Sequence, residues 1–104
     1  METFDFGDGR GPVPASRHSN GGGWVAATAK VAANAYVGVH ALVYGNARVS
    51  GNARVFDDAW VFGNAQVSGN AQVSGNAWVF DDARVFGIAR VFGNTWAKGP
   101  GEEK

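Results

Sequence analysis

Gly45-Asn46-Ala47-Arg48-Val49-Ser50, Gly51-Asn52-Ala53-Arg54-Val55-Phe56 and Asp57-Asp58-Ala59-Trp60-Val61-Phe62 are three successive copies of one six-residue unit. Reading outward from them, valine recurs at every sixth position from Val25 to Val91, and alanine stands two residues earlier from Ala29 to Ala89. The unit fills residues 21–98, which is thirteen copies. A period of six does not suit a helix: six steps of about 100° turn each valine by about 240°, so no apolar stripe forms. Within the unit, Ala-x-Val alternates as a strand does, and Gly-Asn is a turn pair. Each copy therefore reads as a short strand with Ala and Val inward, followed by a corner. Asparagine and glycine suit the corner because both enter positive φ at low cost.

Three such sides close a triangular coil of about 18 residues, and successive coils stack by parallel pairing at about 4.8 Å. The grouping in threes can be checked within the chain. The fourth position of the unit, between Ala and Val in all but the first and last copies, carries, in order, Trp24, Lys30, Tyr36, Leu42, Arg48, Arg54, Trp60, Gln66, Gln72, Trp78, Arg84, Arg90 and Trp96. All four tryptophans share one of the three phases, an arrangement that chance produces in under 1% of cases. A two-sided coil would not group them so.

Composition agrees with a narrow interior. Of 104 residues 16 are glycine, against a usual ~7%. Leu, Ile, Val and Phe together supply only 23, and Ala and Val dominate the apolar set. A thin prism has no room for more. Nine basic residues balance nine acidic ones, which argues against nucleic acid as a partner. The absence of cysteine excludes a disulfide scaffold, a thiol nucleophile and any Cys-ligated metal. No apolar run approaches the length of a membrane-spanning helix, and no basic-then-apolar leader opens the chain. Neither membrane insertion nor a classical signal peptide is therefore expected.

The repeats resemble the hexapeptide-repeat proteins that fold as left-handed parallel β-helices. The resemblance covers residues 21–98, and the left hand is implied by it alone, since ordinary parallel crossovers are right-handed. The regular Gly-Asn-Ala-Arg-Val-Ser and Asp-Asp-Ala-Trp-Val-Phe units, with the lead-in Phe6-Gly7-Asp8-Gly9-Arg10-Gly11-Pro12-Val13-Pro14, look like such proteins encoded in phages, prophages and bacterial genomes. The expected fold is thus all-β: a single-stranded left-handed parallel β-helix of about four coils. Residues 1–20 read as an irregular N-terminal cap or arm, 21–98 as the solenoid and 99–104 as a polar tail. A fold of this kind serves enzymes and inert scaffolds alike.

Function is then a matter of the outer faces. One face carries Trp24, Leu42, Trp60, Trp78 and Trp96 in one column and Ala26, Tyr44, Phe62, Phe80 and Lys98 in the next. The other two are mainly polar, with Arg48-Gln66-Arg84 and Arg54-Gln72-Arg90 as charge-spaced columns. Two aromatic columns over four coils would expose several hundred Å², more than a monomer ordinarily tolerates. The expected interface is therefore Trp24, Leu42, Tyr44, Trp60, Phe62, Trp78, Phe80 and Trp96. It would close a homotrimer, the usual assembly of the resembled group, or dock on another protein; simple stacking of like residues is the plainer alternative. The resemblance implies a virion component, such as a capsid decoration (cement) or fibre protein. Its partner would be a major capsid or other virion protein, and its location the phage particle or the bacterial cytoplasm.

No catalytic residue, cofactor or metal site is expected. The alternative is an acyltransferase of the hexapeptide-repeat kind, whose members use a corner histidine as base. His40, in the Asn slot of Val39-His40-Ala41, is the residue that fits, although the inserted loop and C-terminal helix of those enzymes are missing. Zinc held by three histidines, as in related carbonic anhydrases, fits poorly with His18 and His40 alone. Asp57-Asp58 and Asp81-Asp82 are separated by a coil and one further side, so they fall on different edges. They read as corners rather than one ion site.

Overall fold

The computed structural model describes residues 2–7 and 9–98 of the chain. Fifteen strands form among them: β1 (Glu2–Asp5), β2 (Pro12–Arg17), β3 (Trp24–Ala26), β4 (Lys30–Val31), β5 (Tyr36–Val37), β6 (Leu42–Val43), β7 (Arg48–Val49), β8 (Arg54–Val55), β9 (Trp60–Val61), β10 (Gln66–Val67), β11 (Gln72–Val73), β12 (Trp78–Phe80), β13 (Arg84–Val85), β14 (Arg90–Val91) and β15 (Trp96–Lys98). From β3 onward every third strand is a parallel neighbour, which gives three sheets: β3-β6-β9-β12-β15, β4-β7-β10-β13 and β5-β8-β11-β14. The register is a shift of one full coil throughout, as in Gln66 opposite Arg48 and Arg84, or Trp78 opposite Trp60 and Trp96. The chain is a three-sided β-solenoid.

Its interior is what the alternation dictates. Ala35 to Ala83 and Val37 to Val91 line the prism, and nearly all of them are fully buried. No described polar or charged side chain is buried. Backbone polarity is satisfied between coils. Arg48 N–H donates to Ala65 C=O at 2.9 Å, Ser50 N–H to Val67 C=O at 2.8 Å and Asn52 N–H to Gly69 C=O at 2.9 Å. The third of these lies at the corner, so the ladder runs around the bends as well as along the sides.

Corners come in two kinds. From the second coil upward the first corner residue is left-handed, with φ between 57° and 69° at Gly45, Gly51, Asp57, Gly63, Gly69, Gly75, Asp81, Gly87 and Gly93. Aspartate is one of the few L-residues that enter this region readily. The first coil turns instead on Ala27, Ala33 and Val39, which keep negative φ. Its closing bonds are tighter: Ala29, Ala35 and Ala41 N–H reach the carbonyl three residues back at 2.9–3.0 Å, against 3.2–3.4 Å at the left-handed corners. Alanine and valine resist positive φ, so these three bends must take the other geometry.

Residues 2–20 add what periodicity does not describe. β1 and β2 form an antiparallel hairpin, and β2 pairs antiparallel with β3 in the register Ala15–Ala26, Ser16–Val25 and Arg17–Trp24. The following loop tucks under the third sheet: Val37 N–H donates to Asn20 C=O at 3.0 Å, and Gly23 N–H to Val37 C=O at 2.9 Å. Gly21 and Gly23 are required by that approach, since a Cβ on either would sit within 2.3 Å of a carbonyl oxygen of Val37 or Gly38. The chain thus closes its own lower end on the first and third sheets. Residues 99–104 lie outside the described residues.

Candidate functional site

The first sheet turns an aromatic surface outward. Trp60, Trp78 and Trp96 stack with centroids 4.9 and 5.2 Å apart and planes within 4°. Beside them Tyr44, Phe62 and Phe80 stack at 4.9 and 5.2 Å, within 6°. Rings of the two columns meet edge-on, at 6.0–6.5 Å and 69–80°. Both arrangements follow from the register: side chains one coil apart repeat at the rung spacing, and neighbours flanking one valine are turned against each other. Each such pair contributes about 0.5–1.5 kcal/mol beyond the area it buries.

The lower part of this surface is covered by the chain itself. The hairpin curls over it, so that Phe4 stacks on Trp24 and Phe6 on Tyr44, each at 4.8 Å. Arg17 adds its guanidinium 4.7 Å from the centre of the Trp24 ring. Phe6, Ala15, Ala26 and Tyr44 are buried as a second apolar cluster outside the prism, with Phe4, Val13, Trp24, Leu42 and Phe62 packed around it. Tyr44 keeps only 5% of its surface.

The eight residues singled out from the sequence are therefore brought onto one surface but into three situations. Trp24, Leu42 and Tyr44 lie under or against the hairpin. Trp60, Phe62, Trp78 and Phe80 are half-buried by their own stacking, and Trp96, with no described ring above it, is 58% exposed. Sequence reasoning missed that Phe4, Phe6, Val13 and Ala15 cover this face. Their signal was present: two alternating apolar pairs on either side of the glycine-rich turn at residues 7–11.

Along the outer side of the tryptophan column runs a groove of about 500 Å³, walled by Asp58, Asn76 and Asn94. Asn76 Nδ2 donates to Asn94 Oδ1 at 3.2 Å, so the amides stack in step with the rings. A second concavity, of about 910 Å³, lies low on the third sheet between Tyr36, Phe56, Arg54, Asn20, Asn34 and His40. His40 is exposed there, on the corner beside Val39. His18 lies elsewhere, its Nε2 2.7 Å from Ala35 C=O in the N-terminal loop. Among the described residues no group of three or more His, Asp or Glu side chains could hold a metal ion. Asp57 serves its corner: its Oδ2 accepts the Gly75 N–H of the next coil at 3.2 Å.

These features define a β-solenoid with one aromatic face, partly self-covered. The family model of the YdcK beta solenoid repeat matches this chain over residues 41–55, 47–63, 65–81 and 71–87, the stretch in which the six-residue unit is most regular. The chain is a repeat β-solenoid protein. No curated protein and no solved structure matches it.

Proposed function

We propose that this is a non-enzymatic structural protein that joins an assembly through the upper part of its aromatic face. The observation that carries the reading is the stacked Trp60–Trp78–Trp96 column, rising from half-buried to 58% exposed on a rigid prism. Interface cores are enriched in aromatic residues in just this way. The hairpin leaves five rings for a partner: Trp60, Phe62, Trp78, Phe80 and Trp96. Contact between three copies around a common axis, or with a different protein, would cover them. The resemblance of the repeats to phage-encoded ones makes a virion component, such as a capsid decoration or fibre protein, the setting we favour, with a capsid protein as the other partner.

Mass in solution tests this. The wild-type chain should sediment as a multiple of its 10.9 kDa. Trp60→Arg with Trp78→Arg should keep the β-sheet circular dichroism and lose the association through this face. A wild-type monomer that binds no capsid protein would sink the reading.

A second reading rests on the 910 Å³ concavity, where exposed His40 stands near Arg54 and Tyr36. It is an acyl transfer with His40 as base. Binding of acetyl-coenzyme A that is lost in His40→Ala would favour it over the structural reading.

A further inference from the structure

The two ends of the solenoid differ. At the lower end β2 covers β3 and the residue 20–23 loop covers Val37, which leaves β4 alone with a single neighbour, whereas at the upper end β13, β14 and β15 each have a single neighbour among the described residues. Four of the six large apolar residues that are exposed lie on this last turn: Phe86 at 63%, Ile88 at 83%, Phe92 at 63% and Trp96. In the coils below, the position after the inward valine on the second sheet is Ala32, Ser50 or Ser68, and on the third it is Gly38, Phe56 or Ser74. Only in the last turn do both Arg-bearing strands also carry phenylalanine, as Arg84-Val85-Phe86 and Arg90-Val91-Phe92.

We infer that this turn is a docking surface for a second copy of the chain, related by a two-fold axis through Val91. The solenoid climbs evenly, so each third of a turn rises about 1.6 Å of the ~4.8 Å rung. A two-fold at the middle strand, β14, then leaves equal gaps everywhere: β14 meets the partner's β14, and β13 meets the partner's β15. An axis at either other strand would leave one pairing a full rung too wide. In the register set by this axis, Arg90 faces Phe92 of the partner subunit, and Phe86 faces Trp96 of the partner subunit. Each pairing occurs twice, as a self-complementary surface requires. Inward Val91 stays inward, opposite Val91 of the partner subunit. Cation–π and aromatic pairings replace the solvent now over these rings and outweigh the one like-charged pairing of this register, Arg84 opposite Lys98 of the partner subunit. Head-to-tail stacking lacks a comparable second surface, because β3 and Val37 are already paired at the lower end and only the two-residue β4 is open there.

The surface shares only Trp96 with the aromatic face proposed above, so substitutions that leave Trp96 in place test the two independently. Phe86→Ser with Phe92→Ser should halve the mass measured by sedimentation equilibrium. It should also raise the dissociation constant of this step by about 100-fold, since every ring pairing across the axis goes and each is worth roughly threefold or more. Trp60→Arg with Trp78→Arg should leave this two-fold step unchanged. The register has its own probe, since the chain contains no cysteine. Arg90→Cys mixed with Phe92→Cys should form an intermolecular disulfide under mild oxidation, while neither variant alone should. Facing outward positions of an antiparallel pair lie within disulfide reach. An unchanged mass in the Phe86/Phe92 variant, filaments instead of a doubled mass, or cross-linking of Arg90→Cys alone would overturn the inference.

Discussion

Alanine at Gly75 and alanine at Gly87 should have different effects, and the difference measures how tightly the coils stack. Both glycines sit at φ 65°, at the first position of a corner. A methyl group at either meets the left-handed penalty of about 1 kcal/mol. At Gly75 the added Cβ would also lie 2.7 Å from Gly93 N, 3.1 Å from its Cα and 3.2 Å from its O. All three are backbone atoms of the next coil, fixed by the ladder, so the coil must lift. Overpacking of this kind costs about 1–3 kcal/mol. At Gly87 nothing lies within 4 Å of the added Cβ. The expected losses are about 2–4 kcal/mol for Gly75→Ala and about 1 kcal/mol for Gly87→Ala. At about 4–8 °C per kcal/mol for a chain of this size, the two midpoints should differ by at least about 5 °C in thermal circular dichroism. Both should be made in the Phe86→Ser/Phe92→Ser background, so that pairing of ends does not contribute. Equal midpoints would refute the reasoning, because φ alone would then account for glycine at the corners.

Asp57 occupies the corner directly below Gly75, and its carboxylate compensates for its Cβ by accepting the Gly75 N–H. Asp57→Ala, which keeps the Cβ and loses the acceptor, should cost about 1–2 kcal/mol, whereas Asp57→Gly should be within about 0.5 kcal/mol of wild type by chemical denaturation. Phe6→Ala removes a side chain that is 3% exposed and stacked on Tyr44. Its ~3 kcal/mol should fall on the hairpin rather than on the prism: amides of β1 and β2 should lose most of their hydrogen-exchange protection while those of β7–β11 keep theirs.

The solenoid was legible because its cause is local. An Ala-x-Val strand and a corner recur every six residues, the interior admits little else, and four tryptophans in one phase reveal three sides rather than two. The hairpin was not legible by that route. Phe4, Phe6, Val13 and Ala15 belong to no repeat, and their partners Tyr44 and Phe62 lie far downstream, where only the coiled geometry brings them close. For this reason the aromatic face looked wholly unpartnered in the sequence, although its lower part is covered by the same chain. The corners of the first coil were hidden for another reason. Ala27, Ala33 and Val39 fill the same slots as the later glycines but reject positive φ, so one repeat pattern conceals two backbone geometries.

The hairpin's seat on one end has a consequence for how the molecule comes apart. Each rung is held only by the rungs beside it, as in any linear array, and opening begins where a rung has a single neighbour. With β3 clamped by β2 and by Phe4 on Trp24, and the coil above it held by Phe6 on Tyr44, unzipping in the monomer has a direction: the last turn loosens first and the break travels toward residue 24. A protease confined to briefly opened segments would shorten this protein from its C-terminal side, leaving a ladder of fragments that share one N-terminus and differ in length by whole rungs.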